Sequence, residues 1–167
     1  VHISKKDLQL DLKTAFIQLN LGIPVSLQFT VTSIGSMCLQ SAVNSFGTAT
    51  IAGFTAAGRV ENIANIPLSG LSVGTQTFVG QNYGAGKYDR IIKSVKKIFT
   101  LNILLSVALS VVLLTAGMPI VRLFMTEPNE DVLFAAHKYL IATAECFSLV
   151  AVLFVLRNTL QGLGFTY

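Results

Sequence analysis

Charged residues in this chain come in clusters, and the stretches between them are long and apolar. Lys13 and Arg59 bracket a run, 14–58, with no charged side chain. Glu61 and Lys87 bracket a second, 62–86, and Lys97 and Arg122 a third, 98–121. In a fourth, 132–156, the charges are Lys138 and Glu145. A bilayer-spanning helix needs roughly 20 mostly apolar residues, so the pattern predicts four membrane helices, at about 18–45, 49–82, 87–116 and 129–163. The second and fourth exceed what the hydrocarbon requires, which predicts tilt, kinks or extension into water. The first run is too long for a signal peptide, and three more spans follow it.

Helix punctuation agrees with this division. Pro24 falls in the first turns of the first span and Pro67 in the middle of the second, where each is expected to bend its helix. Pro119, just after Gly117, is expected to end the third span and open a short amphipathic piece at the outer interface, near 119–125. Asn129 is an N-cap for the fourth span, with Glu130 and Asp131 at the positive end of its dipole. The second span is rich in small residues: Gly70 and Gly74 form one GxxxG, Gly80 and Gly84 another. That spacing suits close helix contact and marks this helix as central.

Composition turns the pattern into a class. Apolar residues make up 52% of the 167 residues and charged residues 12%, about half the charged share of soluble domains. Mean hydropathy is +0.65. So few charges cannot cover a soluble surface. This excludes a nucleic-acid-binding domain, a disordered segment and an ordinary cytosolic enzyme. The expected fold class is all-α, a polytopic membrane helix bundle.

The net charge of +4 is a topology signal. Lys5, Lys6 and Lys13 precede the first span; Lys87, Arg90, Lys93, Lys96 and Lys97 separate the second from the third; Arg157 lies near the end of the fourth. Arg122 and Lys138 fall on the other side, beside Glu127, Glu130 and Asp131. Both termini and the Lys87 loop are therefore expected in the cytoplasm. Cys38 and Cys146 fall inside spans without metal-ligand spacing and read as small packing residues.

Polar residues inside the spans carry the chemistry. Gln28, Thr32 and Ser36 recur every four residues on the first span. Asn62 and Asn65 lie on a similar stripe of the second. Such stripes face protein or water, not lipid, and their succession predicts a cavity shared by the two helices. The bland alternative is a pair of dry helix-contact seams. Glu145 lies roughly 24 Å along the fourth helix at 1.5 Å per residue. A carboxylate at that depth is paired, protonated or functional. Glu61 poses the same choice; Arg59, two residues away, does not face it on one helix. Proton or cation coupling is thus expected of Glu61 and Glu145, against the alternative of structural hydrogen bonds. His137 and Lys138 read as interface residues.

No enzyme constellation emerges. The run Gly80-Gln81-Asn82-Tyr83-Gly84-Ala85-Gly86-Lys87 lacks the order of a phosphate loop and its preceding strand. No catalytic residue, metal or cofactor is expected. The same run, with Phe78-Val79 before it, resembles the signature loop of the MATE (multidrug and toxic compound extrusion) family. Gly22-Ile23-Pro24, Arg59-Val60, Pro67-Leu68-Ser69-Gly70-Leu71 and Lys138-Tyr139-Leu140 resemble further family positions. So does Arg157-Asn158-Thr159-Leu160-Gln161-Gly162-Leu163-Gly164. In order, these cover nearly the whole chain.

The resemblance implies a twelve-helix, two-lobe antiporter that exports cationic organic compounds or drugs in exchange for H⁺ or Na⁺ by alternating access. It implies that 1–17 is the cytoplasmic linker between lobes and that 18–167 is a partial lobe, helices seven to ten. The chain would then be a fragment in a bacterial plasma membrane. Its partners would be the lipid bilayer, small organic cations and the rest of the transporter, with no nucleic acid. Gly80, Gln81, Gly84, Gly86, Arg157 and Gly162 would be structural motif residues. Thr32 stands where NorM-type members carry an acidic residue on helix seven, so a NorM-like sodium site is not implied. Glu145 falls beside the acid those members carry on helix ten. DinF-type members place the proton-linked Asp in the other lobe, outside this chain. Two rival readings are a lipid-linked precursor flippase of related two-lobe plan, which would want several Arg in its cavity, and a non-transporting membrane assembly subunit.

Overall fold

A computed structural model describes residues 11–124 and 129–166. It contains four helices: α1 (Leu12–Asn44), α2 (Thr48–Gly84), α3 (Tyr88–Leu123) and α4 (Glu130–Gly162). No strand occurs among the described residues. The chain is an all-α membrane helix bundle, and each charge-poor run became one helix. Lys5, Lys6, Glu127 and Pro128 lie outside the described residues.

Two boundaries differ from the sequence reading. The first helix starts at Leu12, because Asp11 caps it: its carboxylate accepts from the Lys13 N–H at 3.0 Å and from the Thr14 hydroxyl at 2.5 Å. The third helix does not stop at Gly117. Pro119 lies inside α3, which continues to Leu123, so residues 119–123 form its last turns and not a separate interfacial helix. Two contacts favour the continuation. Gly117 packs against Leu140 of α4, and Val121 is buried one turn further on. Met125 lies outside the described residues. Pro24 and Pro67 are likewise inside α1 and α2, where each leaves one carbonyl without its intrahelical donor.

α2 is the centre of the bundle. It packs mainly on α4 and also on α3, which packs on α4 in turn; α1 touches α2 only sparsely. Leu68, Val79, Leu140 and Phe147 are fully buried between these elements. Small residues let α2 and α4 meet at both ends. At one end a Cβ on Gly53 would lie 2.5 Å from the Val132 carbonyl oxygen. At the other, a Cβ on Gly162 would lie 2.7 Å from the Gln76 carbonyl oxygen. Gly70 and Gly74 face open space, so that GxxxG makes no close contact here.

Three helices, α1, α3 and α4, are long and apolar enough to cross a membrane by themselves. α2 is not among them despite its 37 residues. Arg59, Glu61, Asn62 and Asn65 lower its hydropathy, and one face of it is buried against α3 and α4. At 1.5 Å per residue it is about 55 Å long, well beyond a hydrocarbon core of roughly 30 Å.

α1 stands apart. Val43, beside the turn into α2, is its one buried residue. Midway along it, two side-chain contacts reach α4. Gln161 donates its amide N–H to Gln28 Oε1 at 3.4 Å, and the Arg157 guanidinium lies 4.8 Å from the centre of the Phe29 ring. The Gly80–Gly162 contact (3.4 Å from a Cβ to the Gly162 oxygen) puts the ends of α2 and α4 together. Lys87, Arg90, Lys93, Lys96 and Lys97 open α3 at this same end, hereafter the basic end.

Candidate functional site

The most developed polar site lies where α2 meets α4. Glu61 is half-buried on the flank of α2, next to the buried stripe Ala57, Val60 and Ala64. Its carboxylate accepts a hydrogen bond from the Tyr139 hydroxyl of α4. One turn along α2, Asn65 donates its amide to Glu61 Oε1 at 3.4 Å. The Tyr139 ring is held edge-on against Phe54, with centroids 4.8 Å apart and planes at 75°. Gly58 lies beside the hydroxyl, which a Cβ there would meet at an ordinary contact distance of 4.0 Å. A cavity of about 300 Å³ opens on this cluster, lined by Glu61, Tyr139, Thr143 and Cys146 among others.

The chemistry available is that of a half-buried carboxylate with adjustable donors. While charged, Glu61 takes hydrogen bonds from the Tyr139 O–H and the Asn65 N–H. A proton on the carboxyl turns it into a donor, and a hydroxyl can then accept. A small or organic cation in the cavity would find the same carboxylate, with the Thr143 and Tyr139 oxygens beside it.

Other predicted residues are not brought to this place. Glu145 is exposed on α4 and does not line the cavity, although its neighbour Cys146 does. Arg59 and Asn62 are exposed on α2. On α1, the stripe is exposed and its hydroxyls turn back on their own helix. Thr32 donates to the Gln28 carbonyl at 2.9 Å and Ser36 to the Thr32 carbonyl at 3.1 Å. Such back-bonding satisfies a hydroxyl without any partner helix. Gln28 alone of the three reaches another helix, through Gln161. Among the described residues, the cavity that Gln28 lines has no α2 residue in its wall.

A second polar feature escaped the sequence reading. Asn102 of α3 is fully buried and donates to Ser72 Oγ of α2 and to the Ala151 carbonyl of α4, both at 3.3 Å. Ser106 contacts Ser148 at 3.4 Å, and Ser110 donates to the Ala144 carbonyl at 2.9 Å. These bonds form a seam along the three-helix core. The signal was available: Asn102, Ser106 and Ser110 are spaced by four in an otherwise apolar run. Tyr139 was also missed, because only its contact with Glu61 distinguishes it from other aromatic residues.

The glycine-rich motifs have a structural explanation. α2 ends with Gly86 at φ +69°. There the Gly86 N–H bonds the Tyr83 carbonyl at 3.0 Å and the Lys87 N–H bonds the Asn82 carbonyl at 2.9 Å. α4 ends the same way at Gly164, φ +88°, with Gly164 on Gln161 and Phe165 on Leu160, both at 3.0 Å. Both are Schellman caps, which need a left-handed residue that glycine supplies without strain. Gly80 and Gly162 bring the capped ends together, while Gln81 and Gly84 are exposed.

Comparison with known proteins places this arrangement. The MatE family model matches residues 24–166, most of the chain. The "Probable multidrug resistance protein YpnP" of Bacillus subtilis is 32% identical over 87% of this chain and 32% of its own length. The "Probable multidrug resistance protein YoeA" of the same organism is 24% identical over 96% of this chain and 34% of its own. The "Probable multidrug resistance protein NorM" of Thermotoga maritima is 24% identical over 66% of this chain and 24% of its own. The chain thus spans about a third or less of the curated relatives it matches.

Proposed function

The chain belongs to the MatE family, and from that premise we propose that it serves as part of a secondary antiporter. The transporter exports cationic organic compounds in exchange for H⁺ or Na⁺ by alternating access. The names of the relatives, multidrug resistance proteins, support export of drugs. The observation that carries the coupling role is the Glu61–Tyr139–Asn65 cluster beside a cavity. A charged carboxylate in the hydrocarbon is costly and is retained where it works. A cationic compound and a coupling cation compete for it, so that binding one releases the other. Glu61 is the stronger coupling candidate; Glu145, exposed and outside the cavity, serves only if another part of the transporter covers it. The basic end faces the cytoplasm, as the clustering of Lys and Arg there favours.

The test is efflux of a cationic dye by the intact transporter, measured with and without an imposed ion gradient. Glu61→Gln is expected to abolish gradient-driven efflux, while Glu145→Gln retains most of it. Full gradient-driven efflux by Glu61→Gln would remove this cluster from the mechanism.

A further inference from the structure

A second cavity, of about 410 Å³, lies at the basic end between α1 and α4. Pro24, Gln28, Arg157, Gln161, Phe165 and Thr166 are among its walls. It holds a cation without a counter-ion: among the described residues no carboxylate lines it. Arg157 Nε is shielded from solvent and has no hydrogen-bond partner, and the same holds for Thr166 Oγ1. The guanidinium lies over the Phe29 ring, 4.8 Å from its centre. Gln28 receives the Gln161 amide on its oxygen, which leaves its own amide N–H groups to donate. Arg157, with no carboxylate beside it, and the Gln28 amide thus line one space.

We propose that this cavity is a phosphate site, filled by the headgroup of a membrane phospholipid or by a free phosphate. A planar guanidinium matches two phosphate oxygens at once, and the Gln28 amide suits a third. The place on α4 fits a headgroup. Arg157 is the first charge after the apolar run 146–156 and lies about 7.5 Å along the helix from its end at Gly162. Pro24 and Phe165 offer apolar surface for the glycerol region, which favours the lipid as the source. Occupancy would tie the middle of α1 to the end of α4, where side chains alone now join them. The proposal does not rest on the transport reading, and its test involves no transport.

The intact protein carrying this chain is placed in phosphatidylcholine nanodiscs, and its thermal midpoint is followed as phosphatidylglycerol is added. In parallel, the detergent-solubilised protein is titrated with inorganic phosphate against chloride at equal ionic strength. Wild type is expected to be stabilised, and Arg157→Gln to need roughly tenfold more ligand for the same shift, the loss of one charge-assisted contact. Gln28→Leu is expected to weaken the response and Arg157→Lys to keep part of it. These two variants carry the test if Arg157→Gln does not fold. Lys97→Gln, at the same end but outside the cavity, is expected to respond like wild type. A response to phosphatidylglycerol alone assigns the site to lipid; an equal response to inorganic phosphate assigns it to the free anion. Equal responses from wild type and the cavity variants, or an equal loss in Lys97→Gln, would overturn the proposal.

Discussion

At the scale of single residues, what separates Glu61 from the other charges is its company. Arg59 and Glu145 are exposed, whereas Glu61 is half-buried and bonded from two directions. Tyr139→Phe deletes one hydroxyl and keeps the ring on Phe54. Its expected outcome is a loss of roughly tenfold in cationic-dye efflux, the worth of about 1.4 kcal/mol for a bond to a charged group. Protein abundance should be unchanged, and a transport assay beside an immunoblot checks both. Asp11 offers a simpler case at the membrane margin. The Thr14 hydroxyl, then the Lys13 N–H, hold its carboxyl below the ordinary value of 3.8. Its capping contribution is therefore complete above that value and is lost as pH falls through the lowered one. Asp11→Asn should keep the cap and remove this acid dependence, as amide exchange at Lys13 and Thr14 below pH 5 would report. Neither Glu61's partner nor the α4 anchor of Asn102 could be read from the chain. Both depend on which faces of distant helices meet, and four-residue spacing names a stripe without naming what covers it.

At the scale of elements, the α2–α4 contact is set by glycines of unequal importance. A methyl on Gly162 meets the Gln76 carbonyl oxygen and the Val79 Cβ, both parts of a helix that cannot yield locally. A methyl on Gly117 meets Leu140 Cδ1 at 2.8 Å, the far end of a flexible side chain. Gly162→Ala should therefore cost about 1–3 kcal/mol and Gly117→Ala clearly less; thermal denaturation in detergent ranks them. In the polar seam, Asn102→Ala should cost about 1–2 kcal/mol from lost interhelical bonds and a small void. The helices themselves were legible almost completely, since charge-free runs and apolar length do not depend on tertiary contact. Pro119 misled because proline usually stops a helix. Here Gly117 and Val121, buried on either side of it, keep α3 against α4 past the proline. The GQNxGAG run and the Gly162-Leu163-Gly164 ending were legible as motifs, but their work as caps and crossing points shows only in three dimensions.

At the scale of the whole molecule, α2, α3 and α4 form a packed unit and α1 is an outlier. The Thr32–Ser36 stripe lies open on α1, consistent with a polar surface meant for water or for parts of the transporter beyond this chain. Cysteines placed at 32 and 36 in the intact protein are expected to react with a membrane-impermeant maleimide, and a saturating cationic dye should slow the reaction. A dry helix seam would leave them unlabelled. The uneven attachment of α1 bears also on biogenesis. This helix is made before its three companions yet makes the fewest contacts with them, so it is expected to consolidate after them. While the ribosome completes the later segments, α1 must wait in the bilayer, held mainly through its short turn into α2. Its waiting form is then exposed to chaperones and membrane proteases. A weakened Gly162 crossing, by delaying the other three, should lengthen that interval and lower the yield of finished protein in the cell.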